Sequence, residues 1–540
     1  MVLSTRDRLY RLIVFVFVLV PFISCADTRY RRNIESGRME NSAADPRGEA
    51  EIPMAPSPDS DTGLNAHSSP DAGPIRISVK DAGLMAFENN RSLKVERFNP
   101  EINRTFEQEE AGRFDPVLEG DLTFQRTDTR RTGASDDETI ETDTTVSNIS
   151  LEQFFPGGTT IAVEAEGRTT DSSIQDDPFS TARLGLTVTQ ALLRGFGRDV
   201  NLARLQRARL ATEASVYELR GFSESLLTRV ESAYWDYALA QRRIEIVEES
   251  LKLVTQQLDE TLEMIRVGKM AEAELPAVQA EVALQKQGLI NARSDLATTR
   301  LRLLRILNPS GPDFWNRDIE LLHQARVPDT RLDNVESHVA LALQKRSEIN
   351  EAKLNIERND LELVRTKNGL LPKMDVFIRM GKTGYAESFG DAVSKVSGDH
   401  YDIAAGLSVE FPVRNRGAGA LHRRFRLQSE QSTEALANLV QLVELDVRTA
   451  YIEVTRTREQ IAASTATRRL QEEKYRIETE KFRVGRSTNL LVAQAQRDLL
   501  VSRINEVQAL INYLKALINL YRLDGSLLDR RGFMTPGASN

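Results

Sequence analysis

The tripeptide Arg-Val-Gly occurs twice, as Arg266-Val267-Gly268 and Arg483-Val484-Gly485, in equivalent places of two long stretches patterned as helix. The residues around it repeat at the same shift of 217. Val230 answers to Val447, Ala233-Tyr234 to Ala450-Tyr451, Leu253 to Leu470, Gln279 to Gln496 and Leu303 to Leu520. A long ungapped repeat records a duplicated structural unit, and it constrains the fold before any single residue does. Upstream, the shift changes. Leu93 answers to Ile349 and Pro116 to Pro372 at 256, whereas Leu186-Thr187-Val188 answers to Leu407-Ser408-Val409 at 221. The first copy therefore holds 35 extra residues between about 125 and 182. Each copy reads as helix, strand region, very long helix, tight turn and returning helix. The first copy spans 75–325, the second 326–525, and 526–540 is a tail.

The helices can be measured. No proline interrupts Val200 to Ile265, and about 66 residues at 1.5 Å each reach roughly 100 Å. Ala418 to Phe482 forms a second stretch of similar length. Ile244, Val247, Leu251, Val254 and Leu258 alternate spacings of three and four. On the returning helix Leu275, Val278, Val282, Leu289, Ala292, Leu296, Leu303 and Ile306 fall on one seam, which Gln285 and Thr299 interrupt. Sustained heptads of this kind pack as coiled coil. Only 6% of residues are aromatic and 28% are charged, a balance that suits helices packed along seams. Gly268 and Gly485 give the backbone freedom to reverse between antiparallel helices. The net charge of −8 is modest and no basic block points to nucleic acid.

At the start, Arg6, Arg8 and Arg11 precede an apolar run from Leu12 to Val20, then Pro21-Phe22-Ile23-Ser24-Cys25. The run is too short for a membrane-spanning helix and reads as an export signal over 1–24. It resembles a bacterial lipoprotein signal, with Cys25 as the lipidated first residue, although Phe22 stands where leucine is usual. An ordinary cleaved signal is the alternative, and both export the chain. Cys25 is the only cysteine, so no internal disulfide forms. Residues 25–74 are rich in Asp, Ser, Pro, Arg and Gly and read as a disordered linker.

The strand regions alternate strictly. Leu118, Leu122 and Phe124 alternate with Glu119, Asp121, Thr123 and Gln125, and Ala182, Leu184, Leu186 and Val188 with Arg183, Gly185, Thr187 and Thr189. Met374, Val376, Ile378 and Met380 repeat the pattern in the second copy, followed by Tyr401, Ile403, Ala405, Leu407, Val409 and Phe411. Segments of about 9–11 residues with one apolar face match membrane-spanning β-strands. A soluble half-buried sheet alternates in the same way. Export and the attached ~100 Å helices favour a barrel. Around Pro156-Gly157-Gly158, residues 145–155 and 159–167 form an added hairpin, which either projects outside or adds strands.

The wording at the strand-to-helix junctions is specific. Thr187-Val188-Thr189-Gln190-Ala191 runs through Arg194-Gly195-Phe196-Gly197 to Asn201, and Val409-Glu410-Phe411-Pro412 runs to Asn415-Arg416-Gly417. Together with the two tips, these junctions resemble those of the TolC-like outer-membrane efflux protein family over roughly 75 to 525. Ala191 replaces the family's usual proline after the glutamine, and Pro412 keeps it. Glycine or proline suits a chain swinging from a tilted strand into a tangential helix. Gln190, Gly195, Gly197, Pro412 and Asn415 are therefore junction residues.

The resemblance implies an α+β membrane protein with a duplicated unit. A homotrimeric transmembrane β-barrel would continue into a long antiparallel α-helical coiled-coil tunnel in the periplasm. Each protomer would give four strands to a twelve-stranded barrel in the outer membrane of a Gram-negative-type bacterium. The tips at Arg266, Val267, Gly268, Arg483, Val484 and Gly485 would meet a periplasmic adaptor protein and, through it, an inner-membrane pump or ABC exporter. Export would be passive, with no cofactor and no enzymatic step. Nothing in the sequence opposes this. His67, His323, His338, His400 and His422 lack metal spacing, and Gly381-Lys382-Thr383 lacks the earlier glycine of a phosphate loop, where Val376 stands. Glu472-Glu473 and Glu478/Glu480 lie near the second tip; Glu473 and Glu480 are the candidate pore acids of a threefold ring, against a plain solvated face. The competing class is a periplasmic adaptor or structural coiled-coil lipoprotein, which would carry one hairpin or no strands.

Overall fold

The computed structural model describes residues 74–132, 137–175, 177–309, 314–328 and 332–533. The expected signal, Cys25, the linker up to residue 73, His67 and the tail from 534 lie outside them. In chain order the elements begin with β1 (Ile75–Ile77), α1 (Val79–Asn89), α2 (Arg91–Glu96) and α3 (Phe98–Gly112). Four strands follow: β2 (Val117–Thr132), β3 (Asp137–Phe155), β4 (Thr159–Ser172) and β5 (Phe179–Ala191). Then come the long α4 (Arg198–Arg266), its return α5 (Leu275–Leu307) and β6 (Ile319–Leu321). The second copy has α6 (Val335–Lys345), α7 (Ser347–Asn368), β7 (Lys373–Ala386), α8 (Phe389–Ser394) and β8 (Tyr401–Glu410). It ends with α9 (Arg416–Arg483), α10 (Asn489–Leu523) and α11 (Leu527–Arg531).

One six-stranded antiparallel sheet runs β2-β3-β4-β5-β7-β8. This departs from the four strands per protomer that the resemblance implies, because the insertion enters the sheet between β2 and β5. The strands also exceed the expected 9–11 residues; β3 has 19 and β2 has 16, and only β8 has 10. Their extra length lies beyond the apolar band: past Phe124 the ladder carries Arg126 opposite Asp143, an ion pair at 2.5 Å. Within the band the faces separate cleanly. Leu118, Leu151, Val163, Leu186, Met380 and Ile403 lie side by side across all six strands. The opposite face holds Glu119, Ser150, Glu164, Arg183 and Asp402, and the last two pair at 2.8 Å across Gly381, which has no side chain to separate them.

The helices α3 and α7 lead into β2 and β7, β5 and β8 lead out into α4 and α9, and α3, α4, α7 and α9 pack as consecutive neighbours. The arms α4 and α9, with 69 and 68 residues, extend roughly 100 Å. Val247 and Val254 of α4 and Val278, Val282, Ala292 and Leu303 of α5 are buried, as their seam predicts. Gln285, the polar break in that seam, is buried and donates to Glu281 at 2.9 Å. Halfway along, the two copies share a core of Tyr234, Leu226, Leu304, Ile349, Ile511 and Leu520. The parallel pair β1 and β6 caps it, and the Tyr237 hydroxyl donates to the Ile319 carbonyl at 3.1 Å. No helix among the described residues is long and apolar enough to cross a membrane.

Candidate functional site

Two regions gather the residues singled out by the sequence. The first is the ring where sheet becomes helix. Gly195 and Gly197 have φ of 88° and 100°, and Gly197 sits immediately before α4. These are angles that side-chain-bearing residues avoid, so the turn out of β5 requires glycine there. In the second copy Asn415, at φ 34°, performs the corresponding turn before α9 and donates to the Leu370 carbonyl at 3.1 Å. Pro412 lies in the short connection between β8 and α9.

The inserted hairpin is tied into this ring. Gln190 accepts from the Thr159 hydroxyl at 2.5 Å and donates to the carbonyls of Gly157 and Ala191. A Cβ on Gly158 would lie 2.3 Å from the Gly195 carbonyl oxygen, so the hairpin turn and the junction touch backbone to backbone. Asn201, buried in the first turn of α4, directs its amide at the carbonyls of Pro156, Gly195 and Gly197, at 3.0, 2.8 and 3.1 Å. Across the ring Asn368 accepts from the Gly195 N–H at 2.8 Å and donates to the Leu193 carbonyl. The junction motif contained Asn201 without showing its role. Asn368 is distant in sequence and had no signal. Asn201→Ala removes the side-chain donor these three carbonyls share and is expected to cost about 1–3 kcal/mol. The readout is a lower temperature for heat-modified gel migration; an unchanged temperature would contradict the role.

The second region is the pair of helical tips. Both are built alike. The Gly268 N–H donates to Ile265 and the Lys269 N–H to Met264; the Gly485 N–H donates to Phe482 and the Arg486 N–H to Lys481. With φ of 71° and 72° at the two glycines, each long helix ends in a left-handed glycine cap. This explains the glycine of each tripeptide. The valines are another matter. Val267 and Val484 are 52% and 69% exposed, so neither serves the core. Arg266 and Arg483 flank them and pair with Glu263 and Glu480 on their own helices. The two tips are joined through Asn489, which is fully buried, accepts from Gln257 at 3.2 Å and donates to the Met270 sulfur at 3.4 Å. Its repeat position holds Glu272, so the duplication could not flag it.

Each acid near the second tip has a partner. Glu473 pairs with Arg476, whose hydrogen bonds hold its carboxyl below the usual range. Glu480 pairs with Arg483, Glu472 with Arg468 and Arg503, and Glu478 with Lys481 and Ser487. Among the described residues no cluster of His, Cys, Asp or Glu could hold a metal ion.

Known proteins carry the same architecture. The sequence pattern of the family described as "Outer membrane efflux protein" matches residues 161–309 and 339–526. The outer membrane efflux protein BepC of Brucella suis biovar 1 (strain 1330) is 24% identical over 341 residues, covering 62% of this chain and 70% of that protein. The CmeC outer membrane channel of Campylobacter jejuni superposes with a TM-score of 0.63 at 12% identity, over 88% of this chain and 94% of CmeC. VceC, an outer membrane protein of Vibrio cholerae, gives a TM-score of 0.61 at 14% identity, over 83% and 96%.

Proposed function

Because the chain belongs to the outer membrane efflux protein family and is thereby an efflux channel of the outer membrane, we propose that three copies form one passive conduit. The helical end docks a periplasmic adaptor and, through it, an inner-membrane pump or ABC exporter that supplies the energy. One observation carries this reading: two ~100 Å helical hairpins continue from a single sheet with one apolar and one polar face. A sheet of six strands leaves two open edges, which neighbouring copies can pair. The adaptor class raised by the sequence would need only one hairpin and no membrane face. Residues 1–24 direct export, Cys25 adds a lipid anchor and 25–74 span the distance from it.

Docking falls to the exposed tips, Arg266-Val267-Gly268 and Arg483-Val484-Gly485, and opening is an iris-like movement of those tips. The junction residues Gln190, Gly195, Gly197, Pro412 and Asn415 hold sheet and helices at a fixed angle during it. The mass of the detergent-purified protein by light scattering, with bilayer conductance of the same fraction, tests the conduit. A trimer with small, mostly closed conductance is expected; a monomer without conductance would refute it.

Glu473 and Glu480 complete the proposal as acids of the closed end that favour cations. Their pairing with Arg476 and Arg483 weakens the field, so the expected effect is moderate. Replacing Glu472, Glu473, Glu478 and Glu480 with Gln should lower the cation-to-anion permeability ratio by about twofold or more, a reversal-potential measurement in a salt gradient. Unchanged selectivity eliminates the acids.

A further inference from the structure

We propose that the inserted hairpin forms two additional staves of the shared barrel, so that three copies enclose an eighteen-stranded mouth. Such a mouth is about 1.5 times as wide as a twelve-stranded one, since barrel diameter grows roughly linearly with strand number. The inference rests on the three-copy conduit proposed above.

Strand order carries it first. β5 is hydrogen-bonded to β4 along one edge and β7 along the other, while β3 lies between β2 and β4. A four-strand arrangement would require β2 to pair with β5, and both edges of β5 are occupied. The hairpin ladders would all have to break. Parity agrees: six alternating strands leave β2 and β8 running in opposite directions, so β8 of one copy meets β2 of the next in the same antiparallel pattern.

The surface of the hairpin carries it next. Ile149, Leu151 and Val163 are 58%, 45% and 39% exposed, on the same face as Leu118, Leu184 and Ile403. A flap projecting into water would expose these side chains at a cost, whereas a barrel stave turns them to lipid. The other face of the hairpin carries Asn148, Ser150, Glu164, Glu166 and Arg168, continuous with the polar face of β5 and β8. The inner turn is fastened to the junction by Gln190 and Asn201, as described above.

The circumference fits as well. Four helices per copy meet the sheet, so twelve helices spaced 8–10 Å apart surround about 95–120 Å. Strands 4.8 Å apart and tilted about 40° each take up about 6.3 Å of a barrel's circumference. Eighteen strands then surround about 110 Å and twelve only about 75 Å. The larger barrel meets the helical tube without a constriction. The outer mouth is thus not the narrow point, and size selection of a polar cargo falls to the helical end.

Electron cryo-microscopy of the full chain in lipid nanodiscs counts copies and strands together. Three copies with eighteen strands are expected. Three copies around a twelve-stranded barrel, with β3 and β4 outside, overturn the inference and leave the conduit standing. Any other copy number overturns the conduit and the inference with it. A second measurement does not depend on resolving the strands. In Val163→Cys labelled with a bimane, nitroxide-bearing lipid should quench most of the fluorescence, and in Glu166→Cys little of it. The wild-type chain labelled in parallel corrects for Cys25. Equal quenching at both positions overturns the hairpin's place in the wall.

Discussion

Export should fall to the level of cells lacking the channel when Gly485 is replaced by proline. The native φ of 72° lies far from the −65° that proline imposes, and the substitution also removes the N–H that donates to Phe482. Losing the cap costs about 3 kcal/mol locally, and if that is lost from docking it lowers adaptor affinity by more than about 100-fold. Gly485→Ala, which meets open space and only the strain of a left-handed angle, should cost about 1–2 kcal/mol and retain partial export. The core lies far from this cap, so trimers should remain intact in both variants. Val484→Asp separates surface from scaffold. Val484 is 69% exposed, so the change leaves the turn folded while placing a negative charge on the surface proposed to dock the adaptor. Accumulation of a fluorescent efflux dye, in cells carrying this chain with its own adaptor and pump, measures all three. Normal efflux by Gly485→Pro and Val484→Asp would refute tip docking.

Much of this geometry was legible because duplication supplies its own control. A single Arg-Val-Gly would have been an ordinary turn; two in register located both tips and both long helices within two residues of their observed ends. The junction glycines were equally readable, since a strand-to-helix swing needs angles that glycine supplies. The change of repeat shift and the Pro156-Gly157-Gly158 turn revealed the inserted hairpin and not its neighbours. A period of two specifies a face and says nothing about which strand lies alongside, so six strands in one sheet emerged only from the register. Strand ends were misjudged because the ladder of β2 and β3 continues past the last apolar pair on polar and ion-paired residues. Asn368 and Asn489 were invisible for a different reason. Each acts on a residue more than 170 positions away, and neither has its counterpart in the other copy.

The same comparison of copies yields the largest expected change in stability. His338 and Asp524 are buried at 2% and 0% exposure and meet at 2.7 Å between α6 and the end of α10. Asp524 also accepts from the N–H and hydroxyl of Ser526, at 2.9 and 2.5 Å. The upstream shift of 256 carries His338 onto Ala82, and the shift of 217 carries Asp524 onto Leu307. Both of those residues are fully buried in the shared core. One copy therefore fills with hydrocarbon the place where the other sets a polar pair. Asp524→Ala leaves His338 and the Ser526 hydroxyl without their acceptor in the interior, while the Ser526 N–H keeps the Tyr521 carbonyl, and should destabilise each protomer by about 3–5 kcal/mol. His338→Ala with Asp524→Leu, which copies the first repeat, should recover most of that loss, because apolar packing often replaces a buried pair at little cost. Denaturant unfolding of the detergent-solubilised protein, followed by tryptophan fluorescence, measures both. Trp235 lies in the same core and reports its opening. If the double variant is no more stable than Asp524→Ala, the two copies are not interchangeable at this position and the polar pair is required by the second copy's own packing.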